Sequence, residues 1–171
     1  MKIAIGIINA LVVIGLIYLT IEGRDTLEIK TEIEISAPPS KVWEIITDID
    51  QWQEWSPIIS ASQGTVAIDS SLNITMISDE KGKDGPQYNP VITKLDEAKY
   101  FQWRAKMLTE FVFTNDKIFK LEKTNTGTKL THIETIKGLM APLFRGKMQE
   151  GAPPMLNSMN TALKELAEKQ I

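Results

Sequence analysis

Residues 27–49 read LEIKTEIEISAPPSKVWEIITDI, and two successive periodicities within this stretch indicate a strand followed by a helix. Up to residue 35, apolar side chains and one threonine alternate with glutamate and lysine, which is the two-residue period of a strand with one buried face. The SAPPS that follows ends the strand, and proline is tolerated in the first turn of a helix. Apolar residues at helical spacing mark the buried side of that helix: Val42, Ile45, Ile46 and Ile49. The stretch therefore predicts a strand followed by a helix that ends near Asp50.

Downstream of this stretch the sequence predicts an antiparallel sheet. A short second helix carries Trp52 and Trp55 and ends at Pro57. From residue 58 to residue 137, turn sequences at 69–71, 82–85 and 125–127 separate about six segments with strand character. Within residues 100–107 and 119–122 apolar and polar side chains alternate, so one face of the sheet is apolar and needs a cover.

The carboxy-terminal segment is predicted to be that cover. Its apolar or small residues recur at spacings of three or four, as on one side of a helix: Met140, Phe144, Met148, Gly151, Met155, Met159, Leu163 and Leu166. Pro153 and Pro154 interrupt this stripe and predict a kink or a broken helix beginning around Gly151. The order of elements predicts an α+β, helix-grip fold, with a curved antiparallel sheet wrapped around a long C-terminal helix.

The first 22 residues differ in character from the rest. The 19 residues from Ile3 to Ile21 carry no charge, and as a helix they would span about 28 Å, close to the roughly 30 Å of a bilayer core. We therefore predict a single transmembrane helix in residues 1–22 and a ligand-binding domain in residues 23–171. A cleaved signal peptide is the alternative, but the residues after Leu19 lack a small-residue cleavage site. Lys2 favours a cytoplasmic amino terminus, which places the domain on the periplasmic or extracellular side of the membrane.

Composition excludes several classes of function. The 171 residues include 19 basic and 22 acidic side chains, a net charge of -3 without a basic stripe, so nucleic acid is not an expected partner. There is no cysteine, and His132 is the only histidine. Zinc sites built from these residues, iron–sulfur clusters, disulfides and thiol nucleophiles are thereby excluded. No nucleotide-binding motif occurs, and we predict neither a cofactor nor a metal.

An ordered set of short motifs carries a resemblance to a known superfamily. The motifs are Ile35-Ser-Ala37-Pro38-Pro39 with Val42-Trp43, Asp48 with Trp55-Ser-Pro57, Ser71-Leu72, Phe101-Gln-Trp103-Arg104, Gly127-Thr128 through His132 and Glu134 to Gly138-Leu139, and Met159-Asn160 with Leu163. Together they resemble the SRPBCC or START-like (Bet v 1-like) superfamily, in its polyketide cyclase/dehydrase and lipid-transport branch. The sequence departs from relatives at Asp69-Ser70, where they often carry glycine, and at Lys117, where many have histidine.

This resemblance implies a deep cavity between the sheet and the terminal helix that binds lipids, sterols, polyketides or other apolar molecules. A minority of members catalyse cyclisation or dehydration there. The methionine stripe suits such a cavity, because methionine is flexible and polarizable, although ordinary core packing would produce the same pattern. We predict that ligand-binding residues come from the strands and from the terminal helix: Phe101, Trp103, Phe113, His132, Glu134, Met140, Met148, Met155 and Met159.

His132 and Glu134 are the polar pair in this set. Residues two apart on a strand point to the same side, and Leu130 and Ile136 share that side. An imidazole and a carboxylate in an apolar cavity could anchor a ligand or serve as acid and base. A hydrogen bond internal to the fold, or a solvent-facing pair, is the structural alternative.

Three functions therefore stay open. The first is binding of a hydrophobic small molecule or lipid by a domain tethered to a membrane through residues 3–21. The second is an enzyme of the cyclase or dehydratase type that uses His132 and Glu134. The third is an accessory protein that contacts a membrane partner, and a solidly packed interior would be its sign. Phe111-Val112-Phe113 is either strand core or a loop at the cavity mouth.

Overall fold

The described residues of the chain form four helices and eight strands. The computed structural model describes the backbone of residues 2–22, 25–78 and 83–169, and all of their side chains except those of residues 2–6, 10 and 22. The helices are α1 Lys2–Glu22, α2 Pro39–Thr47, α3 Trp52–Trp55 and α4 Ala141–Lys169, and a 3-10 turn at Ile49–Gln51 links α2 to α3. The strands are β1 Leu27–Ile35, β2 Ile59–Gln63, β3 Asn73–Met76, β4 Gln87–Tyr88, β5 Val91–Asp96, β6 Tyr100–Met107, β7 Phe113–Lys123 and β8 Thr128–Lys137.

The strands form two antiparallel sheets. Five strands lie in the order β1-β8-β7-β6-β5, and three lie in the order β2-β3-β4. A bridge between Ser71 and Val91 joins the two sheets, and the Leu72 amide donates to the Pro90 carbonyl at 2.8 Å beside it. The α+β fold with a curved antiparallel sheet and a long C-terminal helix is confirmed. Between residues 58 and 137, the segments that the structure describes (58–78 and 83–137) hold seven strands, compared with the roughly six that the sequence predicts.

Helix α4 crosses the sheet and packs against part of its apolar face. One core cluster surrounds Trp52, Phe101 and Phe119 and includes Met159 and Leu163 of α4. A second cluster joins the first half of α4 to β1 and β8, with these buried members: Leu27, Ile29, Ile136, Ala141, Ala152 and Leu156. Each large buried side chain contributes about 1.5–3 kcal/mol, so α4 is fixed along most of its length.

The terminal helix is not broken at Pro153-Pro154, so that half of the prediction is wrong, while the alternative of a kink stays a prediction. Helix α4 runs from Ala141 to Lys169 with Pro153 and Pro154 inside it. Proline removes a backbone donor and costs about 3 kcal/mol in a helix interior, but the residues on both sides are packed: Ala152 and Leu156 are fully buried against the sheet. Tertiary packing therefore holds a helix that local propensity alone would interrupt.

The predicted membrane anchor is not confirmed. Its stretch, residues 3–21, includes positions 3–6 and 10, which lie outside the described side chains. Within the part of the chain that the structure describes, no helix has the length and hydropathy that crossing a membrane requires.

Candidate functional site

A cavity of about 520 Å³ lies between α4 and the two sheets. Aromatic and aliphatic side chains make up most of its wall, and a few polar groups interrupt it. The apolar lining consists of Trp52, Ile58, Ile59, Ile74, Met76, Tyr88, Trp103, Ala105, Met107, Phe113, Met148, Met155 and Met159. The polar lining consists of Gln87, Asn89, Lys106, Asn115, Lys117 and Glu134. A wall of this composition suits an apolar ligand that carries few polar groups.

Strand alternation places the wall residues. Most wall residues of β6 and β7 lie at alternate positions: Trp103, Ala105 and Met107 on one strand and Phe113, Asn115 and Lys117 on the other. Lys106, near the end of β6, also reaches the cavity. The chain reverses between them in the turn at residues 109–112. The side chain of Phe111 in that turn is exposed, whereas Phe113 lines the cavity and contacts Phe144 ring to ring.

Six of the nine predicted ligand-binding residues line the cavity: Trp103, Phe113, Glu134, Met148, Met155 and Met159. Phe101 lies in the core behind the wall, where its ring stacks on Phe119 at a centroid distance of 5.9 Å. Met140 precedes α4, and its amide donates to the Val112 carbonyl at 2.9 Å, so it belongs to the connection rather than to the helix stripe. The ninth residue is His132.

His132 is fully buried and does not line the cavity. Its Nδ1–H donates to Asn160 Oδ1 at 2.8 Å, an assignment that follows because an amide oxygen can only accept. Asn160 Nδ2 in turn donates to Thr31 Oγ1 at 2.9 Å, which ties α4 to β1. The imidazole also stacks on the ring of Phe119, and the two ring centroids are 4.2 Å apart.

The ring of His132 is neutral in the folded protein. Burial, followed by the nearby charge of Lys117, lowers its pKa well below the ordinary 6.5, and the hydrogen bond to Asn160 opposes these effects only in part. A buried, neutral imidazole that already donates to the helix matches the structural alternative for this residue. Its position offers no support for a role as acid or base toward a ligand.

Glu134 and Lys117 form the charged part of the wall. Lys117 Nζ lies 3.7 Å from Glu134 Oε2, and both side chains are more than nine-tenths buried. Asn115 Nδ2 donates to Glu134 Oε1 at 2.9 Å. Because each charge compensates the other in an apolar setting, removal of one partner alone would cost about 3–5 kcal/mol.

Three aromatic residues complete the polar features of the wall. Burial, and secondarily the charge of Glu134, raise the pKa of Tyr88 to about 12, so this side chain stays a neutral phenol. Trp52 and Trp103 have buried indole Nε1 atoms without an acceptor among the described residues. The described part of the chain contains no group of three carboxylate or imidazole side chains that could hold a metal ion.

Sequence reasoning did not select Lys117, Asn115 or Tyr88. For the first two the signal was present, because Phe119 and Leu121 mark the inward side of β7 and the same alternation extends back through 117 and 115 to Phe113. No comparable signal existed for Tyr88, which reaches the cavity only because the second sheet folds over it.

Many solved structures have the same fold, and the three described next are at most 18% identical to this chain. The di-domain aromatase/cyclase StfQ from the steffimycin biosynthetic pathway superposes with a TM-score of 0.70 at 12% identity, over 85% of this chain and 52% of that one. This chain thus spans about half of that protein. An aromatase/cyclase from a Streptomyces species superposes with a TM-score of 0.68 at 13% identity, over 85% of this chain and 96% of that one. A protein from Nitrosomonas europaea superposes with a TM-score of 0.66 at 18% identity, over 84% of this chain and 96% of that one.

The fold and the cavity define a helix-grip domain with an interior able to hold a small molecule. The chain belongs to the polyketide cyclase/dehydrase and lipid transport family, whose model matches residues 26–169. No curated protein matches the sequence. The structural relatives share so few residues with this chain that their likeness extends to the fold alone.

Proposed function

We propose that this domain binds a hydrophobic small molecule or a lipid in the cavity between the sheets and α4. The observation that carries the proposal is the cavity itself, since about 520 Å³ of mostly apolar space falls within the roughly 300–1,000 Å³ of ligand sites. Met148, Met155 and Met159 supply one wall from α4. Their unbranched side chains adapt to ligands of different shape at little cost.

The two alternatives have less support. An enzyme that uses His132 with Glu134 needs both groups at the substrate, but His132 lies outside the lining and already donates to Asn160. An accessory protein without a ligand would be expected to fill its interior, because an empty space of this size forfeits packing energy. Both considerations favour binding over catalysis and over a purely structural role.

The proposal is tested by comparing the dye affinity of the wild type with that of a variant in which a larger side chain fills the cavity. The full chain is kept in solution by an amphipathic polymer, so that no free detergent competes for the cavity, and titrated with the neutral dye N-phenyl-1-naphthylamine. Met155→Trp places an indole in the cavity, whereas Asn157→Trp adds the same group to an exposed position of α4. We expect the first variant to bind the dye at least about tenfold more weakly, because an occupied cavity has lost its apolar contact surface.

The control variant should stay within about twofold of the wild type, since it leaves the cavity unchanged. Equal affinity of wild type and Met155→Trp, with both proteins folded by circular dichroism, would place the dye elsewhere and contradict the proposal. Native mass spectrometry of the wild type provides a second readout, in which a co-purifying apolar molecule is the expected result.

Tethering to a membrane through residues 3–21 is part of this proposal, with the domain on the periplasmic or extracellular side. Support comes from the uncharged sequence and from the exposure of the described apolar side chains of α1, among them Leu11, Ile14 and Ile17. Asp25, the third residue after α1, lies near the start of α4, where Arg145 Nη2 donates to the Asp25 carbonyl at 3.3 Å. Two exposed apolar side chains lie near the start of α4: Leu143 in its first turn, and Phe111, whose carbonyl accepts from the Leu139 amide at 3.0 Å.

A further inference from the structure

Three wall residues that carry buried polar atoms form one row across neighbouring strands. Trp103 of β6 is the register partner of Lys117 of β7, and Lys117 is the register partner of Glu134 of β8. All three line the cavity, and all three are more than nine-tenths buried. Partners in adjacent antiparallel strands have Cβ atoms about 4.5–5.5 Å apart, so the row is a compact polar strip in an otherwise apolar wall.

This strip has unused hydrogen-bonding capacity. Glu134 Oε2 is buried and accepts no hydrogen bond from any described group. The Lys117 ammonium lies 3.7 Å from it, beyond hydrogen-bonding distance, and donates to no other described atom. The Trp103 indole N–H is also buried without an acceptor. Such groups normally find partners, and a buried polar atom left unpaired costs about 1–3 kcal/mol.

Stability does not account for the pair. Replacing a buried ion pair by apolar residues of similar size is often neutral or stabilising, because desolvation of two charges offsets their attraction. The pair also lies within one sheet, between two strands that their backbone hydrogen bonds already hold together, and it faces the cavity rather than a helix. A role toward the occupant of the cavity explains both the burial and the unfilled capacity.

The chemistry of the strip selects the polar group of that occupant. A carboxylate or an amine would add a third charge beside a pair that is neutral as a whole, and burial of an unpaired charge is costly. A ketone or ether oxygen can accept from Lys117 but leaves Glu134 Oε2 without a donor. A hydroxyl does both, because it donates one hydrogen bond and accepts two.

We propose that the cavity takes an apolar molecule bearing an alcohol or phenol hydroxyl, which donates to Glu134 Oε2 and accepts from Lys117 Nζ. This inference rests on the proposed function, since it names the polar group of the ligand bound in that same cavity. The Trp103 indole N–H, on the same row, is a further donor for an oxygen of the ligand.

Three probes of one shape test the inference: 2-naphthol, naphthalene and 2-naphthoate, each titrated calorimetrically into the full chain held in the amphipathic polymer. We expect 2-naphthol to bind at least about tenfold more tightly than either of the others, since hydrogen bonds to charged groups are the stronger kind. Equal affinity for naphthol and naphthalene, or tighter binding of the carboxylate, would overturn the inference.

Substitution of Lys117 and Glu134 then tests whether these two side chains cause the preference for 2-naphthol. Lys117→Met with Glu134→Gln removes both charges and keeps the side-chain lengths, so the preference for the hydroxyl should fall below about threefold while naphthalene still binds. Lys106→Met is the matched control, because Lys106 lines the cavity but is exposed. That variant should retain the wild-type preference, and persistence of the preference in the double variant would count against the pair.

The outcomes separate this inference from the proposed function. If naphthalene binds as tightly as 2-naphthol, the inferred hydroxyl site is contradicted, but the proposed binding of apolar molecules still holds. If none of the three probes binds and the naphthylamine dye does not bind either, both the hydroxyl site and the proposed function are contradicted. The comparison of probes on the wild type decides the matter even where the double variant does not fold.

Discussion

The single histidine of the chain serves to dock the terminal helix. His132 lies on the inward side of β8 next to Glu134, but the two side chains have different surroundings. Glu134 lines the cavity, whereas His132 donates to Asn160 of α4 and stacks on Phe119. Alternation along the strand predicts that both point inward and cannot distinguish a cavity from a packed core, because that difference depends on which helix residue lies opposite.

Stability should depend on pH through His132. Its pKa lies well below 6.5 in the folded chain and near 6.5 in the unfolded chain, so below about pH 6.5 only the unfolded chain gains the proton. The free energy of unfolding should therefore decrease as the pH falls from 7.5 to 5, by at most about 1.4 kcal/mol per pH unit. Urea denaturation followed by tryptophan fluorescence at several pH values measures this slope.

His132→Phe removes the titrating group and should flatten the slope over that pH range, whatever its effect on stability at pH 7.5. Because the chain has one histidine, its imidazole signal in the NMR spectrum can be followed without ambiguity. A midpoint near 6.5 in the folded protein would contradict a buried neutral ring.

At the scale of elements, periodicity predicts most of what is observed. The two-residue period of 27–35 and the three-to-four-residue spacing after 140 correspond to β1 and α4, because both elements bury one face. The continuity of α4 through Pro153-Pro154 was not predictable, since it depends on packing against β1 and β8 that no local pattern encodes. The alternation of β7 also places Lys117 on the inward side of that strand, at a position where many relatives have histidine.

The turn between β7 and β8 requires glycine at position 127. Gly127 has φ +153°, and a Cβ atom there would collide with the Ile35 carbonyl oxygen and lie 2.9 Å from the Ala37 amide. These contacts are backbone atoms that cannot move aside, so Gly127→Ala should lower the free energy of unfolding by about 2 kcal/mol or more. Chemical denaturation measures the loss.

Gly146→Ala is the matched control, because nothing lies within 4 Å of its added methyl group. In an exposed helix interior, alanine should raise the free energy of unfolding by about 0.5–1 kcal/mol. A Gly127→Ala variant as stable as the wild type would mean that the turn does not approach residues 35–37 in solution.

At the scale of the whole molecule, the sequence predicts the layers but not the shape of the space between them. The cavity needs β3 and β4 folded over β6–β8, and it is closed by side chains from segments far apart in the chain, such as Ile58, Tyr88 and Met155. Their meeting depends on sheet curvature and on the bridge between Ser71 and Val91. Neither leaves a local signature, which is why the candidate site was predicted only in part.

The domain should fold and bind without its first helix. Neither core cluster contains a described residue of α1, and most of the helix's described apolar side chains are exposed. A chain of residues 25–171 retains the Asp25 carbonyl that accepts from Arg145. Its free energy of unfolding should lie within about 0.5 kcal/mol of the full chain, since truncation away from a core changes stability little. Its affinity for the naphthylamine dye should be unchanged.

The same pair of proteins tests the tether, because only the full chain has the uncharged stretch 3–21. Expressed in bacteria without any surfactant, the full chain should sediment with membranes and resist a high-salt wash, since burial of an apolar helix is insensitive to ionic strength. The shorter chain should stay in the supernatant. Recovery of the full chain in the supernatant would remove the membrane from the proposal and leave ligand binding to be judged on the cavity, because no described α1 residue lines it.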